Sequence, residues 1–172
     1  MANLDSLVQY KLRSQIWVAG ISEDGSDEDT NTIVQKIISD IDPELSPTHI
    51  EWSHRVGKLS DSRGHNYARP RQILVRLTNT IVKRRILRCR KNLKYNSKYK
   101  HVYINEYLTR KRNKLYSHAR QLLKRKTIVQ LWTTNGKILM KDKDNRIYET
   151  NTMDALAEVV QQLDPTYEFT YK

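Results

Sequence analysis

Two kinds of apolar spacing alternate along the chain. Short runs repeat every second residue, and between them lie longer stretches where apolar residues recur at three and four, the signatures of half-buried strands and amphipathic helices. Residues 1–14, "MANLDSLVQYKLRS", place Leu4, Leu7 or Val8, and Leu12 at helical spacing, which suits a lead-in or the stump of a coiled coil. "QIWVAGI" (15–21) is a short run of β-formers closed by Gly20, and an acidic loop follows it. Ile33, Val34, Ile37, Ile38 and Ile41 then share one face of a helix expected over 30–41. "THIEWSHRV" (48–56) alternates Ile50, Trp52, His54 and Val56 with polar neighbours, predicting a second strand. After a long polar loop, "RQILVRL" (71–77) predicts a third strand. Thr78 or Asn79 can cap a helix over 80–91, and "KHVYINE" (100–106) predicts a fourth strand.

The order β-α-β-β-α-β over residues 15–106 is the split arrangement used by ferredoxin-like folds and RNA-recognition motifs. A helix over about 108–125 begins a second unit, residues 107–172. There Asn135-Gly136 joins two alternating runs, a strong hairpin signal. A two-residue turn pairs Thr133 with Ile138, Trp132 with Leu139, Leu131 with Met140 and Gln130 with Lys141. Val129, Leu131, Ile138 and Met140 then form the core side, and Trp132 stands on the other with Gln130, Lys137 and Lys141. A short strand near "RIYE" and a helix over 152–163 complete an α-β-β-β-α unit. The expected class is α+β: an RRM-like domain followed by a small C-terminal domain.

Charge changes the picture from fold to partner. Residues 1–50 sum to −6, residues 51–126 to +20 and residues 127–172 to −2, within a net +12. A strongly basic middle inside a neutral-to-acidic frame suits a polyanion surface, with nucleic acid as the first expectation. No apolar run approaches 18 residues, so no membrane span is expected, and the N-terminus lacks the apolar core of a signal peptide. A single cysteine, Cys89, excludes an internal disulfide framework and fits a reducing compartment.

Catalytic chemistry finds little support. The five histidines and Cys89 fall on different elements without metal-ligand spacing, and no Gly-rich phosphate loop, nucleophile elbow or HExxH is present. Asp142 and Asp144 read as turn acids among Lys141, Lys143 and Arg146. The expectation is a protein that is not an enzyme and uses no metal or other cofactor.

Binding signals are stronger. "IWVAGI" matches the first-strand pattern of RNA-recognition motifs, with Trp17 where a base-stacking aromatic stands. The third strand, "PRQILVRL", offers no aromatic, so it predicts backbone contacts through Arg76 rather than stacking. Trp132 beside Lys137 and Lys141 suits a stacking platform, or else packing beneath a neighbouring element. "INEYLTRKRNKLYSHARQLLKRK" (104–126) holds eight Lys or Arg against one Glu. Its Leu108, Leu115, Ala119 and Leu122 form an apolar stripe bordered by Arg112. Lys111, Lys114, His118, Gln121 and Arg125 follow another face. Such like charges destabilise a helix by a few tenths of a kcal/mol per pair, a cost that phosphates would offset.

Taken together, "HRVG…RPRQILVRL…I.KRRILRCRKNL…VYINEYLTRKRNKLYSHARQL…LWTTNGKILMK" resembles the first-open-reading-frame protein of LINE-type retrotransposons, over about Gln15 to Leu163. It also resembles the related baculovirus few-polyhedra proteins. The resemblance implies an RNA-recognition-motif domain and a C-terminal domain clamping single-stranded nucleic acid, in proteins that coat their own transcript and act as nucleic-acid chaperones. It implies RNA contacts from Arg110, Lys111, Arg112 and Lys114, and an aromatic contact from Trp132. Family members often carry a long trimerising coiled coil, of which this chain has only "LDSLVQYKLRS".

The expected function is therefore sequence-tolerant binding of single-stranded RNA and DNA in a basic cleft between the two domains. Phosphates would lie along Arg55, Arg69, Arg71, Arg76, Arg84, Arg85, Arg88 and the basic helix, with Lys137 and Lys141 beside Trp132. Bases would stack on Trp132 and Trp17. The expected location is a cytoplasmic ribonucleoprotein, with a nuclear share as a further option, and self-association through the short N-terminal segment stays open. The rival readings are a duplex-DNA binder and a protein-interaction or assembly module of the few-polyhedra type.

Overall fold

A computed structural model of the chain describes residues 4–23, 28–57 and 70–167. It is an α+β protein of helices and antiparallel sheets that divides into two compact units. One spans Arg13–Tyr107. The other joins the N-terminal helix to the chain from Leu108 onward.

In the Arg13–Tyr107 unit the elements are β1 (Gln15–Ala19), α2 (Thr30–Ile41), β2 (Ile50–Val56), β3 (Gln72–Leu77), α3 (Thr80–Cys89) and β4 (Tyr103–Glu106), and α1 (Leu4–Lys11) precedes them. The sheet order is β2-β3-β1-β4, and every neighbouring pair is antiparallel. The helices start where short polar side chains satisfy their first amides: Asp29 accepts from Asn31 and Thr32, and Asn79 from Ile81 and Val82. Apolar side chains of both helices, with Ile16, Val18, Ile73, Val75, Leu77 and Ile104, fill the core on one side of the sheet. That core also holds a charge pair: Lys83, 1% exposed, reaches the Glu106 carboxylate at 2.5 Å.

β2 departs from the simplest reading of its alternation. A register shift between Ile50 and Trp52 sets Ser53 opposite Val75 and Arg55 opposite Ile73, on the helix-covered side. The Ser53 hydroxyl bonds Thr30 and Asn31 of α2, so polar groups hold this edge strand to the helix. Trp52, His54 and Val56 consequently lie on the side opposite the helices, because a one-residue change of register exchanges the two faces of a strand.

The second unit contains α1, α4 (Arg110–Lys124), β5 (Gln130–Thr134), β6 (Lys137–Lys141), β7 (Ile147–Thr150) and α5 (Met153–Leu163). The sheet order is β5-β6-β7, and β5 and β6 pair in the register expected from the sequence. Asn135 and Gly136 both have positive φ, +52° and +79°, the backbone of the two-residue turn that matches strand twist. Leu115, Ala119 and Leu122 of α4 and Leu156, Val159 and Val160 of α5 pack on Ile138 and Met140. Val129, expected on the core side, is half exposed; the chain enters the strand at Gln130, and Ile128 takes the buried place. Asp142 closes the β6–β7 turn by accepting from the Asp144 and Arg146 amides and the Tyr148 hydroxyl. Burial pushes its carboxyl up, but these bonds outweigh it and hold the group below the usual range.

The N-terminal segment is more than a lead-in. Gln9 of α1 accepts from the Thr109 amide at 2.9 Å, and Asp5 accepts from the Thr109 hydroxyl and from Arg112 Nε. The same Gln9 side chain lies over Gly136, where a Cβ would collide with it.

Candidate nucleic-acid interface

A helix advances about 100° per residue, so the buried positions Arg112, Leu115, Ala119 and Leu122 define one side of α4. The opposite arc carries Arg110, Asn113, Lys114, Ser117, Gln121 and Lys124, with Arg120 at its edge. All of these are exposed. Arg110, Asn113, Lys114, Tyr116, Ser117 and Arg120 line an open groove of about 380 Å³, and the Arg120 guanidinium lies 6.0 Å from the Tyr116 ring centre. None of the ion pairs among the described residues takes in Arg110, Lys111, Lys114, Arg120 or Lys124. Its lining combines polar Asn113 and Ser117 with the cations Arg110, Lys114 and Arg120, a chemistry suited to phosphate oxygens. Arg125 differs: it stacks on Tyr167 at 4.7 Å and approaches Asp164 at 3.4 Å.

Arg112 requires a correction. Expected to border the stripe and contact RNA, it is 6% exposed, and its guanidinium is committed inside the unit. Nε bonds Asp5 at 2.8 Å, one terminal nitrogen the Gly136 carbonyl at 2.8 Å, and the other the Ser6 hydroxyl at 3.2 Å. Burial raises the Asp5 carboxyl, and the bonds from Arg112 and Thr109 more than reverse this, leaving it lowered. Arg112 thus ties α1, α4 and the hairpin turn together.

Other expected cations sort the same way. Arg55 is a second correction: its side chain is 5% exposed and bonds Glu28 and the carbonyls of Ile21, Ser22 and Arg71. Arg71 pairs with Glu23 at 2.9 Å and Arg76 with Glu51 at 2.8 Å. Arg85 binds Asp42 and Glu44, and its bond is the main cause of the lowered Asp42 carboxyl. Arg84 and Arg88 are exposed on α3, outside the ion pairs of the described residues. Arg69 lies outside the described residues.

A second exposed cationic stretch escaped the sequence reading. Lys91, Lys94, Lys98 and Lys100 follow Arg84 and Arg88, all exposed, with Tyr95 among them at 86% exposure. The signal was available, since residues 78–105 contain no Asp or Glu.

The aromatic candidates occupy the sheet faces turned away from the helices that form their units' cores. Trp132 is half buried on the side opposite the α4–α5 core, beside its partner Leu139. On that side Lys137 pairs with Glu149 at 3.0 Å, and Lys141 is half buried. Trp17 is half buried on the side of the four-stranded sheet opposite its helices, paired with Leu74 and Asn105. The same side carries Trp52 and His54, stacked at 5.1 Å, and Tyr103, which is 61% exposed. These three were missed because alternation groups residues by face without saying which face is covered.

Among the described residues no group of three or more His, Cys, Asp or Glu could hold a metal ion, and no helix is long and apolar enough to cross a membrane. Neither a protein-family model nor a curated protein matches the chain.

Proposed function

We propose that this protein binds single-stranded RNA or DNA with little dependence on sequence, by phosphate contacts from α4 and stacking on partly exposed aromatic side chains. The observation that carries the proposal is the outer arc of α4. There Arg110, Lys114, Arg120 and Lys124 line up without an acidic ion-pair partner among the described residues, on a helix whose other side is docked. An isolated helix would lose stability through this clustering, and a polyanion restores it. The exposed Arg84, Arg88, Lys91, Lys94, Lys98 and Lys100 give the Arg13–Tyr107 unit phosphate-binding cations of its own.

The strand order β2-β3-β1-β4 supports reading the Arg13–Tyr107 unit as ferredoxin-like and akin to an RNA-recognition motif. The resemblance to LINE-type first-open-reading-frame proteins supports a role in packaging RNA into a ribonucleoprotein and in chaperoning nucleic acid. Titration of equal-length single-stranded RNA, single-stranded DNA and duplex at two salt concentrations tests the reading. Tighter binding of both single strands, weakening steeply with salt, is expected. A duplex preference, or affinity indifferent to salt, would overturn it.

A further inference from the structure

On the side of the four-stranded sheet opposite its helices, one row across the strands reads Asn105, Trp17, Leu74, His54. Directly opposed residues of antiparallel strands share a face, with Cβ atoms about 5 Å apart. Asn105 is therefore the immediate neighbour of the Trp17 indole, and both side chains are partly exposed.

The amide of Asn105 has a fixed orientation. Arg90 Nη1 donates to the Ile104 carbonyl and to Asn105 Oδ1, each at 2.9 Å. A guanidinium only donates, so the atom it meets must be the amide oxygen, and Nδ2 with its two N–H groups is turned away from Arg90. Among the described residues Nδ2 makes no hydrogen bond.

We infer that Asn105 reads the edge of a base stacked on Trp17, as a hydrogen-bond donor, and so favours bases that present carbonyl oxygens. This inference rests on the proposed single-strand binding and refines it into a bias within a tolerant site. Asparagine ordinarily recognises adenine by using its oxygen and nitrogen together, accepting from N6 while donating to N7. Here Arg90 holds the oxygen, which leaves donors alone. Uracil meets donors with the carbonyl oxygens O2 and O4, whereas adenine sets its N6 amino donor beside each neighbouring ring acceptor.

The test compares oligo(U) with oligo(A) of equal length, so that phosphate contacts are matched, using the full chain and its Asn105→Asp variant. The carboxylate keeps an acceptor for Arg90 and replaces the donors by a second acceptor. Its added negative charge weakens both oligomers alike, so the ratio of affinities isolates the base edge. The oligo(U)-to-oligo(A) ratio is expected to fall by about three- to tenfold in the variant, the size of one hydrogen bond gained or lost. Asn105→Ala, which removes the donors without adding an acceptor, should give an intermediate ratio. Retained binding of both oligomers with the same ratio in all three proteins would overturn the inference and leave single-strand binding intact. Loss of single-strand binding in the unaltered chain would instead overturn the proposed function on which the inference rests.

Discussion

Arg112 and Lys114 stand two positions apart on α4, and the fold gives them opposite duties. Replacing Arg112 by Ala removes a buried guanidinium that bonds Asp5, the Gly136 carbonyl and the Ser6 hydroxyl, so a stability loss of about 3 kcal/mol is expected in chemical unfolding. Lys114→Ala removes an exposed cation and should leave stability within about 0.5 kcal/mol while weakening nucleic-acid binding. The sequence could not separate them, because Arg112 finds its partner 107 residues away and Arg55 finds Glu28 at a separation of 27. Charge is visible in a sequence, but its neutralisation depends on the tertiary fold. The lowered Asp5 carboxyl gives a pH prediction with a definite sign. A depressed folded-state pKa contributes stability above the unfolded value of about 3.9 and loses it as pH falls through the folded value. Acid titration below about pH 4 should therefore release α1, and an Asp5→Asn variant should remove that part of the transition. Trp132 is the other residue-scale case. Trp132→Ala should weaken single-strand binding by about tenfold, the worth of one stacked base, and lower Tm by only a few degrees. A large Tm loss with unchanged affinity would assign Trp132 to packing alone.

At the scale of elements, the β5–β6 hairpin was legible because the Asn135-Gly136 turn fixes the register locally, down to each pair. The stripe of Leu108, Leu115, Ala119 and Leu122 was legible for the same reason: 3.6-residue periodicity needs no distant information, and all four side chains are buried. β2 was legible as a strand but not in orientation. Its bulge and its polar attachment to α2 through Ser53 turn Trp52 and His54 outward. α4 as an element supports a further prediction. Changing Arg110, Lys114 and Arg120 to Glu relieves like-charge repulsion and places acids along the outer arc, including the first turn, where the helix dipole favours them. Thermal unfolding should then show a Tm equal to or above that of the unaltered protein. Binding of single-stranded RNA, measured on the same samples, should fall by at least tenfold. A fall in Tm would mean that these side chains serve the fold.

For the molecule as a whole, the net +12 overstates the binding surface. Arg55, Arg71, Arg76, Lys83, Arg85 and Arg112 are occupied by acids inside their units, which leaves the α4 arc and the 84–100 stretch as the main uncompensated cations of the described residues. The division into two compact units follows from two separate apolar clusters, and the sequence pattern anticipated elements of both. It did not anticipate that α1 belongs with the later unit, because that attachment runs through single polar side chains, Asp5 and Gln9, rather than through periodicity. The most direct test of the central claim is the salt dependence of single-stranded RNA binding, measured for the unaltered protein and for the Arg110, Lys114 and Arg120 triple reversal. If about six phosphates are neutralised, log K should fall against log salt with a slope near −4 in the unaltered protein, and the slope should shrink by about 2 in the variant. Equal slopes in the two proteins would contradict the account.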